Sequence, residues 1–260
     1  MYLLVHLQFI CLDLSYLFYE VSILGLKDDL SAQVSTILKQ SWNIRDGQVV
    51  PETKDVVLAG GAVKLTATVL YADLAQSSYL ATDFQQRTAA KIIKTFLYCM
   101  CRLIASYNGV ITSFDGDRVM GIFLGNAKNT NAATCALKMN YAVIKIIQPK
   151  VTEYFTSLQE TGFPISHCVG IDTSDVLAVR AGQRGSNDLV WIGRAPNLAA
   201  KLSDIREGSY HSFISEDVFS VLNKSAKYGG KPEKLMWEKS SFTFTGNEIT
   251  VYRSSWHWEP

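Results

Sequence analysis

The stretch VITSFDGDRVMGIF, Val110 to Phe123, sets two apolar runs on either side of Asp-Gly-Asp. Glycine beside aspartate between apolar runs is the signature of a β-hairpin with a tight turn. An acid beside two hydrophobic strands either makes that turn or holds a cation, and both readings of Asp117 are open at this point. Working back along the chain, KLTATVLYADL is a near-continuous apolar, β-branched run that ends on a second acid, Asp73. Such a run marks a buried strand. Between the acids lies one long helical pattern, Asp83 to Tyr107, expected to be capped by Thr82 or Asp83 and stopped at Asn108-Gly109. One helix folding back can set the two strands side by side, so Asp73 and Asp117 are expected at neighbouring strand ends. Two carboxylates there suit a pair of hard divalent cations. Spacing alone does not choose between that and a cap plus a turn residue.

Outward from this unit the pattern continues. A helix is expected from Asn129 to Ile147, with Pro149 just past its end. ISHCVGIDTSDVLAVRAG reads as a strand, a tight turn and a second strand. PNLAAKLSDI reads as a helix with Pro196 in its first turn. SFISEDVFSVL gives a strand running into a helix, and SFTFTGNEITVYRSS a last hairpin. Strands that alternate with long helices and also form hairpins indicate an α+β sandwich, a central mixed or antiparallel sheet flanked by helices.

Composition narrows the function. The 260 residues are 48% hydrophobic, enough for one sizeable core, and a formal net charge of +1 offers no field for nucleic acid. Five cysteines (Cys11, Cys99, Cys101, Cys135, Cys168) form an odd, unpatterned set, which points to a reducing compartment and a cytoplasmic protein. Cys99 and Cys101 read as structural thiols pointing apart along a helix, and dispersed histidines give no zinc pattern. No Ser/His/Asp or Cys/His arrangement suggests a protein nucleophile.

Three segments are expected. Residues 1–26 are mostly apolar but carry His6, Asp13 and Glu20 with no basic residue before Lys27. That makes a poor signal peptide and an expensive membrane span. A start-site artefact with translation beginning near Leu26, a docked helix and an anchor all remain open, and no membrane partner is expected. Residues 27–63 are expected to form an amphipathic helix to Trp42 and a turn-rich arm, and residues 64–254 the main domain.

Four blocks then appear in a telling order: TVLYADLAQSS, NGVITSFDGDRVMGIF, HCVGIDTSDVLAVRAG and VWIGRAPNLAAKLSDI. From about Lys64 to Tyr252 the chain resembles the class III nucleotide cyclases. The resemblance implies that Asp73 and Asp117 bind two Mg²⁺ or Mn²⁺ ions, helped by the backbone carbonyl of Leu74. It implies an attack of the ribose 3′-OH of a nucleoside triphosphate on its own α-phosphate, with pyrophosphate leaving. It places two transition-state residues at Asn197 and, four positions on, Lys201, where the family has arginine. Spacing of four puts both on one helix face. Lysine keeps the charge without the bidentate fork. Arg194 stands where many relatives carry Asp, and it joins Arg180 and Arg184 as a candidate for substrate phosphates. A head-to-tail homodimer is implied, with the acids of one subunit facing Asn197 and Lys201 of the other.

Purine cyclases read the base with Lys or Glu four residues before the hairpin aspartate, and with Asp or Cys three before the glycine of the IG block. Here those positions are Ser113 and Val190, so neither purine code is present. A purine edge left unpaired there is costly. SFDGDRVMGIF, GRAPNLAAKLSD and the arm WNIRDGQVVPETKDVVLAGGA resemble the pyrimidine cyclases of bacterial antiphage defence, whose cyclic UMP or cyclic CMP activates a separate effector. That resemblance implies UTP or CTP as substrate, with UTP favoured, and an effector reached through the product. Phe114, Tyr71 and Trp191 are candidates to fill the pocket that two small side chains leave. The alternatives are an adenylate-type enzyme and a degenerate cyclase fold serving only as a dimerisation module.

Overall fold

The computed structural model describes residues 25–260, and the apolar opening segment therefore lies almost wholly outside the described residues. Helix α1 covers residues 25–39 and is exposed along its length. The arm after it contributes a short strand, β1 (Asn43–Asp46), and buries Val56 against the main sheet.

Nine strands form one mixed sheet. They are β1, β2 (Gly61–Leu74), β3 (Gly109–Asp115), β4 (Arg118–Phe123), β5 (His167–Gln183), β6 (Ser186–Gly193), β7 (Ser212–Ser215), β10 (Glu238–Phe244) and β11 (Asn247–Ser254). Two-residue strands β8 (Tyr228–Gly229) and β9 (Lys234–Leu235) pair apart from it. The main order is β10-β11-β7-β5-β2-β4-β3, with β1 beside β2 and β6 beside β5. Most pairs are antiparallel; β1–β2 and β5–β7 are parallel.

Helices cover both faces, as the α+β reading expects. Leu70, Ala72 and Leu74 of β2 face a core shared with α3 (Gln86–Ser106) and α4 (Lys128–Tyr141). Val63, Leu65, Ala67 and Val69, on the alternate positions, face the arm and α7 (Arg194–Ser203). A strand whose two faces are both buried has no place for a polar/apolar alternation, which is why β2 reads as a continuous apolar run.

Four boundaries differ from expectation. The first strand begins at Gly61 rather than Lys64. The long helix starts later than Asp83, as α3 from Gln86: a separate short helix, α2 (Ser77–Asp83), precedes it and ends at extended Phe84, whose ring packs on Tyr79 and Phe163, leaving Gln85 at the N-cap position of α3. Aromatic packing outweighs the capping preference of Thr82 and Asp83. Pro149 does not end the second helix, because a π turn at Ala142–Ile147 resets the hydrogen bonds just before it. Pro149 then lies in the first turn of α5 (Gln148–Tyr154), where a missing N–H costs nothing. Finally, IDTSD makes no turn. β5 runs straight through it because Thr173 and Asp175 meet Thr68 and Thr66 on β2, at 3.2 and 2.6 Å.

Candidate active site

Asp73 is the last residue but one of β2 and stands directly across the ladder from Arg118 of β4. The hairpin turn between β3 and β4 is Gly116-Asp117, with Gly116 at φ +60°. Two adjacent antiparallel strands therefore bring both acids to one end of the sheet. The two are close enough that the Asp73 charge acts on Asp117. Burial pushes the Asp117 carboxyl up, the Ser77 side chain pulls it down, and the like charge of Asp73 pushes it up again.

The two acids are satisfied differently. Asp73, 7% exposed, accepts from Arg118 Nε at 3.2 Å on one oxygen and from Arg206 Nη2 on the other. Arg118 also pairs with Asp204. Asp117 has a buried oxygen, Oδ2, without any hydrogen-bond partner. An unpaired buried carboxylate oxygen beside a second carboxylate is costly in a structural site and is what a hard cation would satisfy. Among the described residues no group of three or more His, Cys, Asp or Glu side chains could hold a metal ion. The expected donors, the two carboxylates and the Leu74 carbonyl, are all oxygen, the ligand type that a hard divalent cation takes.

The other half of the expected site lies on α7. Asn197 and Lys201 share its exposed face, and the Asn197 Nδ2 donates to the Gly193 carbonyl at 2.8 Å. Neither is hydrogen-bonded or ion-paired to Asp73 or Asp117 within the chain, among the described residues. Ser113 is half-buried on β3, while Val190 of β6 is 42% exposed. The Arg194 guanidinium, a phosphate candidate, pairs with buried Asp172 and with Asp217. Arg180 likewise donates to Asn187 and to the Val56 carbonyl. Of the three pocket candidates, Phe114 is exposed and Tyr71 lies half-buried under Arg118, 6.0 Å from ring centroid to guanidinium. Trp191 is half-buried, with its ring N–H lacking a partner. An open groove of about 620 Å³ between α3 and α5 shares no lining residue with the acids.

Arg118, Arg206 and Asp204 were not singled out from the sequence. Arg118 was within reach, since pairing the two strands by their acids puts it opposite Asp73. Arg206 has no local signal, because it arrives 133 residues later through the turn after α7.

A mixed sheet with helices on both faces and two acids at adjoining strand ends is the arrangement that the class III nucleotide cyclase resemblance implies. Solved structures agree on the fold. The guanylyl cyclase Cya2 superposes with a TM-score of 0.61 at 18% identity, covering 76% of this chain and 95% of that one. The adenylyl cyclase CyaB from P. aeruginosa gives 0.55 at 20% identity, covering 74% and 95%. The non-canonical dimeric guanylyl cyclase domain of the RhoGC fusion protein from Blastocladiella emersonii gives 0.53 at 11%, covering 74% and 97%. No protein-family model matches the chain. Curated relatives are much nearer in sequence. A uridylate cyclase of Rhodovulum sp. (strain MB263) is 46% identical over 91% of this chain and 99% of its own length. Those of Xanthomonas perforans and Burkholderia cepacia are 42% and 41% identical, each over 90% of this chain and 99% of their own length. The chain belongs to the class III nucleotide cyclases, in the family of these uridylate cyclases.

Proposed function

We propose that the protein converts UTP to 3′,5′-cyclic UMP and pyrophosphate. The observation that carries the chemistry is the unpartnered Asp117 oxygen beside Asp73, a site with charge to spare and no internal cation on that oxygen. Asp73, Asp117 and the Leu74 carbonyl would hold two Mg²⁺ or Mn²⁺ ions. When bound, such ions lower the pKa of the ribose 3′-OH and offset charge on the triphosphate. Asn197 then orients the ribose and α-phosphate by hydrogen bonding, and Lys201 brings positive charge to the phosphorane. Arg206 and Arg118 hold the Asp73 carboxylate in place until then. Substrate choice rests on Ser113 and Val190, which carry neither purine code (Val190 has no hydrogen-bonding group and Ser113 one short hydroxyl), and on the name shared by the relatives.

The half-sites belong to different subunits of a homodimer, a reading supported by the lack of any direct bond between Asn197 or Lys201 and the two acids among the described residues. The product acts as a messenger that activates a separate effector in antiphage defence, from a cytoplasmic enzyme. Among the described residues no helix is long and apolar enough to cross a membrane. Purified protein incubated with Mn²⁺ and equal ATP, GTP, CTP and UTP, with products identified by mass, should give cyclic UMP. A main product of cyclic AMP or cyclic GMP would end the pyrimidine reading and leave the cyclase intact. Cyclic CMP would move the substrate to CTP.

A further inference from the structure

Arg194 is the first residue of α7, the helix that carries Asn197 and Lys201. Its guanidinium turns back to β5, where Nε donates to Asp172 Oδ2 and Nη2 to Asp172 Oδ1, both at 3.0 Å. Nη2 also donates to the Thr173 carbonyl at 3.0 Å and pairs with Asp217 of α8 (Glu216–Ser220). Asp172 is fully buried. Burial pushes its carboxyl up, while a hydrogen bond with Ser215 and the charge of Arg194 pull it down. One residue further along α7, the Ala195 N–H donates to Ser174 Oγ at 3.0 Å. The first two residues of α7 are thus tied to three consecutive residues of β5.

This attachment is directional. A planar guanidinium that meets both oxygens of an immobile carboxylate fixes orientation as well as distance, which a lysine ammonium cannot do. Removing it leaves a buried charge unpaired. Asn197 lies one turn along, and its side-chain amide is already held on the Gly193 carbonyl that precedes Arg194.

We infer that Arg194 is a positioning residue of the cyclisation: its two-pronged pair with buried Asp172 sets the start of α7, and so the direction in which Asn197 and Lys201 meet the substrate. The inference rests on the role proposed above for those two residues. A residue acting through transition-state groups changes turnover, whereas one that grips the triphosphate directly changes binding.

The experiment is steady-state UTP turnover with Mn²⁺ for the parent, Arg194→Gln, Arg194→Lys and Asn197→Ala, with folding of each followed by circular dichroism. Arg194→Gln should lower kcat about tenfold or more with KM within about twofold, as expected when a catalytic group is misplaced by a fraction of its bond length. Arg194→Lys should fall between it and the parent, and it carries the test alone if the glutamine variant does not fold. A raised KM at unchanged kcat would make Arg194 a phosphate ligand and overturn the inference, as would unchanged kcat and KM. If Asn197→Ala itself turns over normally, the reading of α7 has failed, and the role of Arg194 falls with it for that distinct reason.

Discussion

Asp117 is held in a place that suits a metal ligand better than a folded chain. Its Oδ2 is buried and unpartnered, and both burial and Asp73 push its carboxyl up, so the ionised form is less favourable here than in the unfolded chain. Asp117→Asn keeps the shape and removes the charge. Turnover should drop by about a thousandfold or more, as expected when a catalytic ion loses a ligand, while the protein melts no earlier than its parent. Mn²⁺-dependent activity and a thermal melt on the same preparation check both halves. A lower melting temperature with near-normal turnover would return Asp117 to being a turn residue. Lys201 is exposed, so its loss should leave stability unchanged within about 0.5 kcal/mol. Lys201→Ala should cut kcat roughly a hundredfold, the usual effect of losing one preorganised donor, and Lys201→Arg should restore most of it. Asp115 is exposed on β3 opposite Arg118, and its removal should be the mildest of the acid changes.

At the scale of elements, α7 depends on how closely it can approach β5. Gly170 lies beneath it, and a Cβ there would come within 2.1 Å of the Ala199 carbonyl oxygen and 2.5 Å of the Ser203 nitrogen. Both are backbone atoms of a helix and cannot rotate away. Gly170→Ala should therefore cost about 1–3 kcal/mol or more in a denaturant melt and depress turnover, since it lifts α7 bodily. A second dependence concerns pH. His167, at the start of β5, is buried with both ring nitrogens unpartnered, and it stacks on His211 at 5.3 Å between centroids. Burial lowers its pKa well below 6.5, and the His211 and Arg206 charges add to this. The unfolded chain then binds the extra proton first, so stability is full above about pH 6.5 and lost as pH falls below it. His167→Phe should flatten that acid limb in melts taken from pH 7.5 to 5; an unchanged slope would assign it to other groups. The elements themselves were legible wherever period and punctuation agreed: β2, the β3–β4 hairpin, α7 with Pro196 in its first turn, and the last hairpin. They were misread where tertiary contacts answered a local signal. Thr173 and Asp175 look like turn residues until β2 supplies Thr68 and Thr66. Pro149 looks like a stop until the π turn absorbs it. The acid pair was legible because strand order and spacing sufficed to place it. The Arg206 contact and the Asp172–Arg194 pair were not, because they join segments that only the folded sheet makes neighbours.

Across the whole molecule, the acids sit at the end of β2 and in the β3–β4 turn, whereas Asn197 and Lys201 face outward from α7 and bond to neither acid among the described residues. The link between them is indirect: Asp204, at the C-cap of α7, pairs with Arg118, the partner of Asp73. Large apolar side chains are exposed on elements adjoining these residues in the chain: Phe114 on β3 and Tyr79 on α2, Val190 and Ile192 on β6. Surfaces of that kind mark contact with a partner. A second copy related by a two-fold axis would place each α7 against the other's acids and build two equivalent composite sites. Mixing inactive proteins makes this quantitative. Asp73→Ala chains still offer a sound α7, and Asn197→Ala chains still offer sound acids. In an equimolar mixture at random, half of the dimers are mixed, and each mixed dimer has one intact site of its two. Activity should recover to about a quarter of the parent level, from two proteins that are each nearly inactive, provided subunits exchange freely. Recovery should scale with the mixed-dimer fraction as the mixing ratio is varied, peaking at one to one. Two acid-site variants mixed together, Asp73→Ala with Asp117→Ala, should recover nothing, because every composite site would still lack a metal ligand. Recovery in that control would put Asp73 and Asp117 on different subunits, and no recovery in the first mixture, once exchange is shown by tagged subunits, would place all four residues in a single chain's site.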